Sequence, residues 1–178
     1  MPREFPTSSE ILRQLIEFPT DTVTERGRQG FIEMCRYIRD LVTEWGLGQI
    51  TEQEFSETDP SGKLEPKLRN LFIDVHGAGQ ERGLWHGHGD TICPDAVYAG
   101  SDRRPTHFMR CPEGENTFMG CGIGDMKMGL AAYLSGLRGL DEILQRVNRS
   151  IRVAIVTQEE WLSEGTHVAK PYLQGSHW

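Results

Sequence analysis

The sequence predicts an α/β fold, a mixed and mostly parallel sheet flanked by helices. Three observations carry this. Residues 11–16 and 31–45 repeat apolar side chains at helical spacing, as does the segment after Asp125. Leu71-Phe72-Ile73-Asp74-Val75 and Ile151-Arg152-Val153-Ala154-Ile155-Val156 are short apolar runs of strand length. The two kinds of segment alternate along the chain, which is the order of a sheet with helices packed on it.

The first helix follows Ser8 and Ser9, carries Ile11, Leu12, Leu15 and Ile16, and stops before Pro19. Thr22-Val23-Thr24-Glu25 has the spacing of a capping box and opens a second helix. Phe31, Met34, Cys35, Ile38, Leu41, Val42 and Trp45 form its apolar stripe, and Gly46 ends it. Residues 56–67, rich in Ser, Asp, Pro, Gly and Lys, read as an exposed loop. A strand at 71–75 is followed by the start of another at Gly83-Leu84-Trp85. Residues 89–117 lack periodicity and read as a long loop, a feature that is usually functional inside a compact domain. Asp125 then starts a helix with Met126, Leu130, Leu134, Leu137 and Leu140, and 151–156 is the clearest strand.

Composition narrows the function classes. The chain has 178 residues, near the length of one domain with part of a second. Its 19 Lys and Arg stand against 26 Asp and Glu, a net charge of −7, which argues against a nucleic-acid partner. Hydrophobic residues make up 37%, enough for a core, so disorder is not expected. No apolar run approaches the roughly 18–20 residues that cross a bilayer. The first residues lack the apolar stretch of a secretory signal. Cys35, Cys93, Cys111 and Cys121 show no CxxC spacing, so structural thiols in a reducing cytoplasm are expected.

In α/β sheets ligands gather beyond the carboxyl ends of the strands, and two strands here run into polar clusters. Trp85-His86-Gly87-His88-Gly89-Asp90 alternates so that His86, His88 and Asp90 can share a face. A histidine beside a carboxylate is the usual pairing of a metal ligand and the group that orients it. Gly87 and Gly89 would let the backbone approach an ion. Taken alone, the segment also reads as a His-rich surface turn. Thr157-Gln158-Glu159-Glu160 follows the 151–156 strand. Adjacent carboxylates repel unless a cation or proton separates them, which suits a metal ligand beside a general base. Taken alone, the pair also reads as a solvated helix start.

Between these clusters lies Gly120-Cys121-Gly122-Ile123-Gly124-Asp125-Met126-Lys127. Its register puts Asp125 where a dinucleotide loop needs its third glycine, and a carboxylate there would repel a pyrophosphate. An aspartate set among glycines suits a cation better. Together His88, Asp125 and Glu160 make a nitrogen and oxygen donor set suited to Zn2+, with Co2+ or Mn2+ as substitutes.

Three motifs in order, Gly87-His88-Gly89-Asp90-Thr91, Gly120-Cys121-Gly122 through Asp125-Met126-Lys127, and Thr157-Gln158-Glu159-Glu160 with Gly165-Thr166, resemble the zinc metallopeptidase family of acetylornithine deacetylase, succinyl-diaminopimelate desuccinylase, carboxypeptidase G and aminoacylase. The N-terminal helices and Asn70-Leu71 also sit where that family has them, so the resemblance spans nearly the whole chain. It implies that residues 1–178 are the N-terminal portion of a metallopeptidase catalytic domain, without the smaller lid domain. It implies two Zn2+ per complete site: His88 on one, Asp125 bridging, Glu160 on the other. Asp90 would orient His88, and Glu159 would be the general base. The implied activity is hydrolysis of amide bonds in N-acyl amino acids or small peptides through metal-activated water. Full-length members are open to homodimerisation.

This sequence departs from the family at Cys121, where Arg is frequent, and at Met128, where a second Gly is common. The family also supplies a carboxylate ligand and a late histidine downstream of any position in this chain. Each ion is therefore expected to lack one protein ligand, to bind less tightly, and to support little hydrolysis by these residues alone. His167 and His177 are not expected to substitute. Trp85 is expected in the core and His86 as a neighbour of the ligands. The alternative reading is a non-catalytic remnant or binding module that keeps the fold.

Overall fold

The computed structural model describes residues 5–22, 24–56, 68–77, 81–92, 109–110, 118–146, 149–160 and 163–174. Helix α1 spans Ser8–Glu17 and buries Ile11, Leu12, Leu15 and Ile16. Thr7 caps it in a reciprocal box with Glu10: the Thr7 N–H donates to the Glu10 carboxylate at 2.7 Å, and the Glu10 N–H donates to Thr7 Oγ1 at 3.3 Å. Helix α2 spans Glu25–Glu44. Its cap is Thr24 rather than the expected Thr22. The Thr24 hydroxyl donates to Asp21 Oδ1 at 2.6 Å and accepts the Gly27 N–H at 2.9 Å. Gly46 does end α2, with φ at 69° just past the Trp45 C-cap.

Strands β1 (Gln49–Phe55), β2 (Leu68–Val75) and β3 (Glu81–His88) follow. Next come the two-residue strands β4 (Met109–Arg110) and β5 (Phe118–Met119), which pair with each other. Helix α3 (Met128–Arg146), strand β6 (Arg149–Val156) and helix α4 (Glu164–Leu173) complete the described chain. The main sheet has the order β1-β2-β6-β3. It is mixed and flanked by helices, as expected, but among the described residues only the β3–β6 pairing is parallel. The β1–β2 and β2–β6 pairings are antiparallel. The reason is connection length. The stretch 76–80 between β2 and β3 is too short for a parallel crossover, so β3 runs against β2. The longer path through α3 returns β6 parallel to β3, and β6 inserts between the two.

The two-residue alternation of strands divides the core. Leu71, Ile73, Val75, Val153 and Ile155 face α1, α2 and α3, where they join Leu15, Phe31, Ile38, Leu130 and Leu134. Phe72, Ala154 and Val156 face the other way, toward Ala169 and Tyr172 of α4. Phe72 and Tyr172 stack with ring centroids 4.9 Å apart. Trp85 packs against the larger cluster and against Tyr133, centroids 5.2 Å apart, so the expectation of a core tryptophan holds. On β2 and β6, the cross-strand pair Asp74 and Arg152 forms a two-pronged ion pair, and Arg152 also donates to the Tyr172 carbonyl of α4.

Strand β1 and helix α4 are absent from the sequence-based reading. β1 offers only Ile50 and Phe55 as apolar positions among charged and polar residues, the composition of an edge strand. α4 contains Pro171, a residue that weakens any helical expectation. Most of the expected loops at 56–67 and 89–117 lies outside the described residues. Among the described residues no helix is long and apolar enough to cross a membrane.

Candidate metal centre

Strands β3 and β6 lie side by side, run the same way and end together, with His88 opposite Val156. The Gly89 N–H donates to the Val156 carbonyl at 3.1 Å, which carries the pairing one step past the strand end. The segments that leave these strands, Asp90-Thr91 and Thr157-Gln158-Glu159-Glu160, therefore emerge next to each other. Asp90 is fully buried between them. Its Oδ1 accepts the Glu159 N–H and its Oδ2 the Glu160 N–H, each at 3.2 Å. The same carboxylate lies 3.6 Å from His88 Nδ1, and that nitrogen is 3.1 Å from the Asp90 carbonyl oxygen.

The other ring nitrogen, His88 Nε2, is 2.8 Å from Asp125 Oδ1 and 3.8 Å from Glu159 Oε2. His88, Asp125 and Glu160 each offer a ligand atom, and those atoms lie within 4.8 Å of one another. With donors at about 2 Å from a cation, neighbouring ligand atoms sit roughly 3.3 Å apart, so metal binding would open the 2.8 Å His88–Asp125 pair and close the wider spacings. The exposed Asp125 and half-buried Glu160 side chains can supply that movement by rotation. The donor chemistry fits a divalent cation. Three carboxylates, Asp125, Glu159 and Glu160, gather around one imidazole, and like charges at that spacing call for a counter-ion. Burial and the nearby charge of Asp125 already push the Glu160 carboxyl up. Burial alone would lower His88, but hydrogen bonds to Asp90 and Asp125 outweigh it and raise the imidazole to about 9.

Asp125 sits in a tight turn at Ile123–Lys127, not in the helix the sequence suggested. Its φ and ψ are −133° and 95°, and α3 begins only at Met128. This irregular backbone separates two inward side chains. Met126 reaches the space beside Gly87, and Lys127 is 1% exposed, with its Nζ donating to the Phe18 carbonyl at 2.9 Å. Burial lowers the Lys127 ammonium to about 8, against the opposing charges of Cys121 and Asp90.

Gly87 and Gly89 have a different role from the expected one. A Cβ on Gly87 would lie 2.6 Å from Met126 Cε, and one on Gly89 would lie 2.2 Å from Met34 Cε. These glycines make room for core side chains behind the strand rather than for an ion in front of it. His86 is a neighbour, as expected: its Nε2 is 3.4 Å from Thr166 Oγ1 on α4, and burial with the nearby His88 lowers its pKa. His167 lies on α4 outside the donor cluster, and His177 is outside the described residues.

Two supports escaped the sequence-based reading as functional. Asn70, fully buried on β2, accepts the Thr157 N–H at 3.1 Å and donates to the Gly165 carbonyl at 2.8 Å. It thereby fixes the segment that leads into Glu159. Thr20 accepts the Thr91 N–H at 3.1 Å through its carbonyl. An Asn directly ahead of the apolar run Leu71-Phe72-Ile73 was the available signal for the first. Thr20 gave none.

Comparison with solved structures places this architecture. The di-peptidase Dug1p of Saccharomyces cerevisiae matches with a TM-score of 0.75 at 17% identity, over 94% of this chain and 35% of that one. Human carnosine dipeptidase 1 matches with a TM-score of 0.70 at 18% identity, over 94% and 36%. An M20 family metallo-carboxypeptidase from Sulfolobus solfataricus matches with a TM-score of 0.65 at 16% identity, over 88% and 32%. The chain thus spans about a third of the length of each. No curated protein matches it by sequence. The model of peptidase family M20/M25/M40 matches residues 79–176, more than half of the chain and all three ligand-bearing segments, and this chain belongs to that family.

Proposed function

We propose that this chain supplies the metal-binding and proton-transferring face of a hydrolase for amide bonds in N-acyl amino acids or small peptides. The observation that carries the proposal is the convergence of His88, Asp125 and Glu160, with Glu159 at its edge. Family membership supports peptide hydrolysis as the reaction class, and the metallo-carboxypeptidase neighbour supports a divalent metal. Zn2+ fits the donor set best, with Co2+ or Mn2+ as substitutes.

His88 and Glu160 would hold separate ions, with Asp125 between them. A bound cation would polarise the scissile carbonyl and lower the pKa of water toward neutrality. Glu159 would accept the proton of the attacking water and deliver it to the departing amine. Its half-exposed carboxylate suits that exchange. Asp90 would hold His88 by its Nδ1 side and both glutamates by their backbone. Substrate is a small N-acyl amino acid or peptide in this reading; neither nucleic acid nor membrane has a part in it.

The test is a comparison of Glu159→Gln with Glu160→Gln. Glu160→Gln should weaken Zn2+ binding. Glu159→Gln should keep the metal and lower hydrolysis of a panel of N-acyl amino acids and dipeptides by about 100-fold or more. Measurable hydrolysis by the wild-type chain that is unchanged in Glu159→Gln would contradict the assignment. Unchanged metal binding in Glu160→Gln would instead favour a fold-retaining remnant.

A further inference from the structure

We infer that Lys127 is a positioning residue for Asp125, acting through the carbonyl of Phe18 at the end of α1. The inference rests on the metal-centre reading and assigns a role to a buried charge that the reaction itself does not use.

Lys127 is two residues from Asp125 in the turn that leads into α3. A 1% exposed ammonium is expensive to bury and is expected to be held by firm partners. Its Nζ donates to Phe18 O at 2.9 Å, across 109 residues of sequence. Phe18 is the C-cap of α1, and a cation is favoured where helix carbonyls end. The Lys127 backbone N–H donates to the Gly122 carbonyl at 2.8 Å. Gly122 holds φ at 75° and leaves no room for a side chain: a Cβ there would meet Thr91 Cγ2 at 2.4 Å and Lys127 Cδ at 3.4 Å. The lysine stem, the Gly122 backbone and Thr91 are therefore packed together.

The segment just after α1 meets both the Asp125 turn and the segment that follows β3. Phe18 receives Lys127 and so anchors the Asp125 turn. Thr20 receives the Thr91 N–H and so anchors the segment after His88 and Asp90. Asp125 is itself 75% exposed in its side chain, and its Oδ1 lies 2.8 Å from His88 Nε2. Its position depends on how its backbone is held: Met126 packs beside Gly87, and Lys127 ties the turn by a hydrogen bond to the end of α1. The acceptor belongs to the N-terminal segment ahead of residues 79–176, so the family match does not by itself imply this link.

His88 offers an internal control, because its two ring nitrogens report on different partners: Nε2 on Asp125 and Nδ1 on Asp90. The experiment compares wild type with Lys127→Met by nitrogen NMR of the His88 ring in the metal-free chain, held well below pH 6.5 so that both ring nitrogens stay protonated in both chains, and by Zn2+ titration. A positioning role predicts a shifted Nε2 signal, an unchanged Nδ1 signal and a loss of Zn2+ affinity of roughly 10-fold or more. A general structural role would move both nitrogens together or neither, and either result in a folded variant would overturn the inference. If Lys127→Met fails to fold, Lys127→Gln takes its place, since its amide keeps polarity in the cavity but falls short of Phe18. A wild-type chain that takes up no Zn2+ would sink the metal-centre reading, while the ring-nitrogen comparison would still decide the role of Lys127.

Discussion

Asp90 Oδ1 accepts the backbone N–H of Glu159 at 3.2 Å, joining two strand ends that are 69 residues apart in sequence. The second oxygen takes the Glu160 N–H at the same distance. One buried carboxylate thereby sets where the proposed base and the proposed ligand begin, in addition to flanking His88. Asp90→Asn would turn an amide NH2 toward one of those N–H donors. The variant should lose hydrogen-exchange protection at Glu159 and Glu160 while β6 keeps its own. Its stability should fall by about 1–3 kcal/mol, the range for a buried donor left without an acceptor. Retained protection at both amides would show that the clamp is not needed.

The pH response of the metal-free chain should follow His88. Burial opposes its charge, but Asp90 and Asp125 raise it from 6.5 to about 9. A raised value means the folded state favours the protonated form. The stabilisation is therefore full below pH 6.5 and is lost as pH rises through about 9. Urea midpoints should decline across that window in the wild type and decline less in His88→Gln. Parallel curves would show that His88 does not carry the effect. Metal must displace the ring proton, so Zn2+ affinity should rise over the same window.

Gly165 is a backbone contact point for the site. A Cβ there would lie 1.8 Å from the Thr157 carbonyl oxygen, an atom of the segment that leads to Glu159. Gly165→Ala should destabilise the chain by about 1–3 kcal/mol through overpacking. Because Asn70 bridges Thr157 and Gly165, the variant should also loosen the Thr157 amide in hydrogen exchange. A neutral midpoint would show that α4 can shift away without strain.

Much of this arrangement was legible in the sequence, for identifiable reasons. Strands β2 and β6 and helices α1 and α2 are strongly patterned; His88 ends β3, Asp90, Glu159 and Glu160 lie just past strand ends, and Asp125 lies just ahead of a patterned helix. The structure brings His88, Asp125 and Glu160 to one place. What escaped depends on contacts across the fold. The cap of α2 moved to Thr24 because Asp21 holds its hydroxyl. The turn at Asp125 looked helical because apolar periodicity continues through it, although Met126 and Lys127 are drawn toward Gly87 and Phe18 instead. The glycines flanking His88 hinted at ion access, yet their neighbours are methionine side chains of the core. Strand direction was misjudged because it is set by the short 76–80 connection, which no periodicity reveals.

The central claim is that His88, Asp125 and Glu160 hold one divalent metal centre. Equilibrium dialysis against Zn2+, followed by elemental analysis, tests it most directly on the wild-type chain and on folded His88→Ala, Asp125→Ala and Glu160→Ala. The account predicts that the wild type retains zinc and that each variant retains clearly less. Equal zinc in all four chains, or none in the wild type, would contradict it.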